Sequence, residues 1–522
     1  MFLLTDWGKT AIGIELGSTF IKAVLINSEH TVLAEGSFRW ENRLADGIWT
    51  YPLDEVHTGI RACYADLKRA AREKLGEEMT TVGAVGVSGM MHGYLPFDKN
   101  GRQLAEFRTW RNTVTGAASK KLTELFHFNI PQRWSIAHLY QAMLDGEEYV
   151  ADIARLTTIA GYIHFRLTGN HAVGIGEASG MFPIDSDILD YNQTMLHTFD
   201  SLHAYPWRLA DVLPQVLPAG ANGGHLTEEG ALFLDPDGVL CPGIPVAPCE
   251  GDAGTGMVAT NSVRPRTGNV SAGTSAFAMV VAEHELGVHR EVNTVTTPTG
   301  APVAMIHCSN CTSDINAWVE LFAQFAAALG AALDKGELYT LLFRKALEGE
   351  ADGGGLLNYN YFSGEGVTEL DEGRPLFIRL PEAKLSLENF MRTHLMSALA
   401  TLKIGCDILR KEGLFIDRLC AHGGFFKTPG VGQRILSAAM AAPVTVMETA
   451  GEGGPYGMAL LCAYMLWHSK GESLEDYLDN KVFANAKAIT LMADEADIEG
   501  FSQFLSRYER AFELERMAVK IV

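Results

Sequence analysis

One pattern constrains this chain more than any other: an apolar β-prone run, a glycine with two hydroxyl residues, then a second apolar run. It stands first as IELGSTFIKAVLI (14–26) and again as VSAGTSAFAMVV (270–281), so that Gly17-Ser18-Thr19 aligns with Gly273-Thr274-Ser275 about half a chain later. A glycine between two β-prone runs is a hairpin signal. A chain of 522 residues is too long for one hydrophobic core, and the offset predicts two α/β lobes of related design, meeting near residues 245–260. Successive N–H groups in a tight turn form a nest for anions, and Ser and Thr hydroxyls add donors without bulk. The duplicated layout therefore predicts a polyphosphate held by both hairpins.

The surrounding sequence supports the two lobes. HTVLAEGSFRW (30–40) reads as a third strand after the first hairpin, and VHTGIRACYADLKRAAREKLG (56–76) as a helix leading to a buried strand within TVGAVGVSG (81–89). In the second half, residues 386–413 have helical apolar spacing with Gly413 placed as a stop, and IDRLCAHGG (416–424) reads as a strand entering a glycine turn. No low-complexity linker separates the halves, so a tight join is expected. Between them, GDAGTG (251–256) sets a single acid, Asp252, in a small-residue turn shortly before the second hairpin.

Several function classes are disfavoured. With 42 basic against 63 acidic residues the formal charge is −21, which opposes nucleic acid and anionic membranes. The longest apolar runs, such as 458–467, fall short of the roughly 18 to 20 residues of a spanning helix. The start lacks the basic region and cleavage site of a signal peptide, so a soluble, cytoplasmic protein is expected. Gly8-Lys9-Thr10 imitates the end of a P-loop, but Leu3 stands where its first Gly belongs. Gly254-Thr-Gly256-Met-Val-Ala259 matches a relaxed dinucleotide fingerprint without the βαβ unit it requires, which leaves a nicotinamide or flavin enzyme as a minor reading. Of eight cysteines, Cys308 and Cys311 have CxxC spacing but lack a second pair or histidines at metal spacing, so structural thiols are expected.

These stretches resemble, in family order and over nearly the whole chain, the FGGY carbohydrate kinases, and most nearly the xylulokinase-like ones. GIELGSTFIKAVL is similar to the first phosphate motif, GVSGMMHG to the sugar-side loop and CEGDAGTG to the catalytic-acid turn. SAGTSAFA is similar to the second phosphate motif, CAHGGFFKTPGVGQRILSAAM to the adenosine motif and GEGGPYGMALLCAY to the closing glycine helix. The resemblance implies an α/β fold of two duplicated actin-like (ribonuclease H-like) ATPase domains with a cleft between them. Residues 1–255 would carry the sugar side and first phosphate hairpin, and 256–522 the second hairpin and the adenosine site.

Carried over by position, the resemblance makes Asp252 the catalytic base, and also a substrate and metal contact. Gly17, Ser18, Thr19, Lys22, Gly273, Thr274 and Ser275 would cradle phosphates. Gly423, Gly424, Gly453, Gly454 and Gly457 would let adenosine approach the backbone, and Met91, His92, Trp110 and Asn112 would meet the sugar. Glu15 stands where the family has a metal-side Asp. Its carboxylate reaches about 1.5 Å farther, one C–C bond, so Mg²⁺ would bind through water or the turn would shift. WRNT (110–113) departs from the family's Trp-Asn-Asp-type segment, leaving Asn112 where an acid is typical and Arg111 as an added donor, which bears on sugar identity. Glu177-Ala178-Ser179-Gly180 looks like the segment that closes beside the substrate.

Read without the resemblance, Asp252 is also what a Gly-rich turn selects for backbone reasons. Lys22 is also a solvated strand residue, His92 a satisfied structural histidine and each glycine a loop former. The expectation is a Mg²⁺- and ATP-dependent sugar kinase acting on the terminal hydroxyl of a ketopentose, D-xylulose first, with L-ribulose, a 6-deoxyhexulose or glycerol as rival substrates. A non-catalytic actin-fold ATP or sugar sensor is the reading from another class. The partner expected is a small sugar, with a homodimer left open.

Overall fold

The computed structural model describes residues 6–331, 333–447 and 453–522, and the chain divides into two compact α/β units. Unit 1 is Met1–Val263, Thr294–Val303 and Glu452–Asn485; unit 2 is Arg264–Asn293, Ala304–Gly451 and Ala486–Val522. The chain therefore passes between the units several times, where the sequence suggested one boundary after residue 255.

Unit 1 is built on strands β1 (Thr10–Leu16), β2 (Phe20–Asn27) and β3 (Val32–Arg39), an antiparallel meander. Strands β4 (Ala84–Gly89) and β5 (Glu250–Gly251) add in parallel on the other side of β1, giving the order β5-β4-β1-β2-β3. Ala11, Ile12, Ile14 and Leu16 of β1 are fully buried, and Glu15 is that strand's one charged residue. Helix α1 (Leu53–Leu75) buries Val56, Ile60, Cys63, Tyr64, Leu67 and Ala71, a spacing that lines one helical face. It lies on β3 at Gly36, where a Cβ would come within 2.5 Å of the Cys63 carbonyl oxygen. Helix α2 (Ile159–Thr168) starts at Thr158, whose side chain accepts the Gly161 N–H.

GDAGTG differs from its expectation. Asp252 is not in an isolated turn; it is the first residue of helix α3 (Asp252–Ala259), which leaves β5 directly. Two glycines and a threonine within eight residues are weak local helix signals, yet the segment is helical where Gly457 of another helix lies against its Thr255 backbone.

Unit 2 repeats the plan. Strands β6 (Thr267–Ala272), β7 (Ala276–Val281), β8 (Pro302–Cys308), β9 (Arg418–His422) and β10 (Val444–Met447) form the central part of a seven-stranded sheet in the order β8-β7-β6-β9-β10. As in unit 1, the opening hairpin is antiparallel and the next two strands add in parallel. Helices α4 (Ser313–Ala328), α5 (Lys335–Ala346) and α6 (Leu387–Lys411) belong to this unit. Helix α6 is capped by Ser386 accepting the Asn389 N–H and carries Arg410 and Lys411 in its last turn. The chain then turns at Gly413 with φ +82, as its spacing predicted. Cys308 and Cys311 lie as free thiols in the apolar core of unit 2.

The chain returns to unit 1 with helix α7 (Gly453–Trp467), which is almost wholly apolar and buried over 455–464. It packs on β1, β4 and α3. A Cβ at Gly13 would collide with the Pro455 carbonyl, and one at Gly457 with the Thr255 carbonyl, so backbone meets backbone at both points. No described helix is long and apolar enough to cross a membrane.

Gly457→Ala forces α7 away from α3. Overpacking of this kind costs about 1–3 kcal/mol, and the expected outcome is a lower urea midpoint at unchanged slope.

Candidate active site

The carboxyl ends of β1, β4 and β5 lie together because the three strands are parallel and adjacent, with Leu16 opposite Gly89 and Gly89 opposite Gly251. Ligands in α/β sheets bind at such ends. Three chain segments emerge there: the Gly17-Ser18-Thr19 turn, the loop Met90-Met91-His92-Gly93, and Asp252.

The first turn is held from behind. The Trp40 indole N–H donates to the Gly17 carbonyl at 2.7 Å, the Tyr51 hydroxyl to the Ser18 carbonyl at 2.6 Å, and the Trp40 backbone N–H to the Thr19 carbonyl at 3.1 Å. The Trp40 and Tyr51 rings pack with centroids 4.2 Å apart. All three turn carbonyls are thus occupied, while the N–H groups of Ser18 and Thr19 have no partner among the described residues and both residues are exposed. Unit 2 does the same with different parts. The Gly273 carbonyl accepts the Thr312 N–H at 3.0 Å and its hydroxyl at 2.7 Å, the Thr274 carbonyl accepts the Cys311 N–H at 3.0 Å, and Gly273 N–H takes the Ser275 carbonyl at 2.9 Å. The Thr274 and Ser275 N–H groups have no partner among the described residues. Free amides with satisfied carbonyls are the electrostatic requirement of an anion nest.

Asp252 is half-buried at the start of α3, where the helix dipole favours its negative charge. Its Oδ1 accepts the Met91 N–H at 3.1 Å. Burial raises its pKa above the usual carboxylate value, and the N–H groups of Met91 and Ala253 oppose that rise. Glu15, also half-buried, faces Lys22 across the hairpin. Its pKa is pushed up to about 7 by burial and then by the Asp252 charge, with Lys22 pulling it down. Two further acids lie behind them. Glu250 is buried, accepts the N–H groups of Gly176 at 3.3 Å and Glu177 at 2.9 Å, and is pushed up to about 8 by burial. Glu177 is fully buried and raised well above its ordinary value by burial first, the Thr158 hydroxyl opposing and Glu250 and Asp252 adding.

Among the described residues no group of three or more His, Cys, Asp or Glu side chains forms a metal cage. Glu15 and Asp252 nevertheless fit Mg²⁺, which keeps several waters and needs only one or two carboxylates beside substrate phosphates.

In the Met90-Met91-His92-Gly93 loop, His92 is buried at φ +73 and its Nδ1 lies 3.2 Å from the Gly180 carbonyl. Donation to that carbonyl fixes the tautomer and leaves Nε2 an acceptor. Burial and the Arg133 charge hold its pKa well below the usual value, so the ring is neutral. Trp110 is 40% exposed. Asn112 is buried with both amide hydrogens used: Oδ1 accepts Trp49 N–H at 2.9 Å, and Nδ2 donates to the carbonyls of Trp49 at 2.8 Å and Thr109 at 3.0 Å. Asn112 therefore fastens its turn and has no donor left for a sugar. Arg111 stacks over Trp49 at 3.8 Å.

In unit 2, Gly273, Thr274 and Gly424 line one cavity of about 1040 Å³ with Thr312, Tyr339 and Lys427. That volume is at the upper end of the small-molecule range, about 300–1,000 Å³. Gly423 has φ +103 and would meet the Ala272 carbonyl with any side chain, so it joins β9 to the turn without obstruction. The glycines 453, 454 and 457 do not line this cavity; they belong to unit 1. The close approach at Gly454 is that of the Glu15 carboxylate, and at Gly457 that of α3.

Trp40, Tyr51, Thr312 and Glu250 were not singled out from sequence. Only Glu250 had a local signal, its alternation with Asp252 in CEGD; the other three meet their turns through folding alone.

The model of the FGGY family of carbohydrate kinases, N-terminal domain, matches residues 10–259, and that of the C-terminal domain matches residues 268–466. A "Xylulose kinase" of Haemophilus influenzae is 22% identical over 460 residues, 84% of this chain and 87% of that protein. Among solved structures, xylulose kinase from Rhodospirillum rubrum superposes with a TM-score of 0.78 at 20% identity, over 97% of this chain and 98% of that one. Gluconate kinase from Lactobacillus acidophilus superposes with 0.79 at 15% identity over the same shares. The shared fold is the two-domain, actin-like ATPase architecture.

Two outcomes follow from the geometry. In the metal-free protein, native Glu15 keeps its proton to about pH 7 while the unfolded chain releases it near 4.5, so its contribution to stability falls as pH rises through that interval. The stability of Glu15→Gln relative to the native protein should therefore increase from pH 4.5 to 7, measured by urea unfolding; a flat difference would show that Glu15 titrates normally. Asn112→Ala strands the Trp49 N–H, while the carbonyls of Trp49 and Thr109 keep the backbone N–H groups of residues 109 and 112, and should lower stability by about 1–3 kcal/mol, seen as a reduced melting temperature.

Proposed function

The chain belongs to the FGGY family of carbohydrate kinases, and from that premise we propose that it phosphorylates the terminal hydroxyl of a ketopentose, D-xylulose first, from Mg²⁺·ATP. Kinases of this family use ATP as the phosphoryl donor. The observation that carries the reading is the Met91 N–H to Asp252 hydrogen bond. It couples the acid to the loop bearing His92, so that one short segment governs both the base and a sugar contact.

In this reading Asp252 takes the proton from the attacking hydroxyl. Phosphoryl transfer depends mainly on alignment and charge neutralisation. In unit 1 the amides of Ser18 and Thr19 and the Lys22 ammonium, and in unit 2 the amides of Thr274 and Ser275, would supply donors for phosphate oxygens. His92 Nε2 accepts from a sugar hydroxyl, and Gly423 and Gly424 leave room for the nucleoside. Glu15 and Asp252 would hold Mg²⁺, which neutralises phosphate charge when bound. The ketopentose rests on the Met91-His92-Gly93 loop and on similarity to proteins named xylulose kinases. The likeness to a gluconate kinase makes the acceptor the point to test.

The test is ADP release from Mg²⁺·ATP with D-xylulose, L-ribulose, a 6-deoxyhexulose, glycerol and gluconate. D-Xylulose should give the highest kcat/KM, and Asp252→Asn should remain folded and still bind ATP while losing about 10²- to 10⁴-fold in rate. A higher kcat/KM with another acceptor would overturn the ketopentose assignment, and an unimpaired Asp252→Asn would overturn the base.

A further inference from the structure

Unit 1 has a smaller cavity, of about 240 Å³, built from none of the residues discussed above. It lies where α2 meets the short strand Arg155–Thr157. Two guanidiniums line it. Arg155 lies on the Phe165 ring at 4.4 Å, and among the described residues its guanidinium makes no hydrogen bond or ion pair. Arg166 donates to the Tyr162 hydroxyl at 3.1 Å and stacks on Phe233 at 4.4 Å, also without a carboxylate partner. Two half-buried arginines left without acids are unexpected in a chain with 63 acidic and 42 basic residues. The last turn of α2 favours a cation at Arg166; no such explanation covers Arg155.

A guanidinium stacked by its face keeps its in-plane N–H edges for a planar or tetrahedral oxyanion. The remaining walls suit the body of a small ligand. Phe97 and Tyr162 stack with centroids 5.4 Å apart, and Thr157, 3% exposed, has a hydroxyl with no hydrogen-bond partner among the described residues. His57 and His171 are held below their usual pKa, by burial first and then by Arg166 and Arg155 respectively, His57 at about 4. The positive charge at neutral pH therefore rests on the arginines.

We propose that this cavity binds the phosphate group of a small phosphomonoester, with Arg155 and Arg166 as its ligands and the aromatic walls against its carbon body. A volume below the usual small-molecule range suits a sugar or polyol phosphate and excludes a nucleotide. Phosphate matches the fork of a guanidinium bidentately and brings the opposite charge, which a neutral sugar lacks.

Calorimetric titration with ribose 5-phosphate, inorganic phosphate and ribose tests this without turnover, so it is independent of the acceptor assignment. The native protein should bind ribose 5-phosphate. Arg155→Gln should weaken that binding about 10- to 100-fold, the loss of a charge-assisted pair, with ADP affinity and melting temperature unchanged. Arg155→Lys should fall between them, and ribose should not bind this site. Equal ribose 5-phosphate affinity in native, Arg155→Gln and Arg166→Gln proteins would overturn the proposal, as would binding of ribose that is equally lost in Arg155→Gln.

Discussion

The two glycine hairpin turns suit an anion, the role proposed for them, only because their carbonyl oxygens are turned away and occupied. A β-hairpin turn presents N–H and C=O groups in equal number, and an exposed carbonyl would repel an anion as strongly as an amide attracts it. Here Trp40 and Tyr51 take the carbonyls of one turn, and the Cys311-Thr312 segment takes those of the other. The strand order of each unit, repeated as hairpin plus two parallel strands, delivers the turns. The clamps give them a sign. The two halves have reached the same result with unrelated residues, aromatic donors in one and backbone with a threonine in the other.

A second constraint is the crowding of acids behind Asp252. Glu15, Glu177, Glu250 and Asp252 all sit where burial raises the pKa, and four full negative charges could not coexist there. The arrangement sorts them. Glu250 takes two backbone N–H groups and ties the turn Ile175–Ala178 to β5, whereas Asp252 and Glu15 keep solvent access. The carboxylates that remain reachable are those that could meet a sugar hydroxyl or a metal.

Much of this was legible from residue order. The paired hairpins, the meander strand, the α1 and α6 helices and the Gly413 stop depend on local periodicity and on glycine, which a sequence states openly. The helix at Asp252 was not legible, because the glycines of GDAGTGMVA weaken the local helix signal and the packing of α7 against it is a long-range contact. Asn112 read as a sugar contact from its place in the chain, and its three bonds to Trp49 and Thr109 appear only once the strand Ile48–Thr50 has come alongside. The same holds for Gly454 and Gly457, whose neighbours lie some two to four hundred residues earlier. What escaped was long-range satisfaction of polar groups and backbone-to-backbone contact, neither of which leaves a local pattern.

Helix α7 also bears on how the chain is made. It closes the face of β1 and β4 and the back of α3, yet it is encoded after nearly all of unit 2. During synthesis the first sheet must wait for some two hundred further residues before its last core helix leaves the ribosome. Until then Gly13, Gly86 and α3 present bare apolar backbone, a surface suited to chaperones or to premature association. A fragment ending after Val263 would carry the same unfinished face permanently, so the halves that share a design do not share independence.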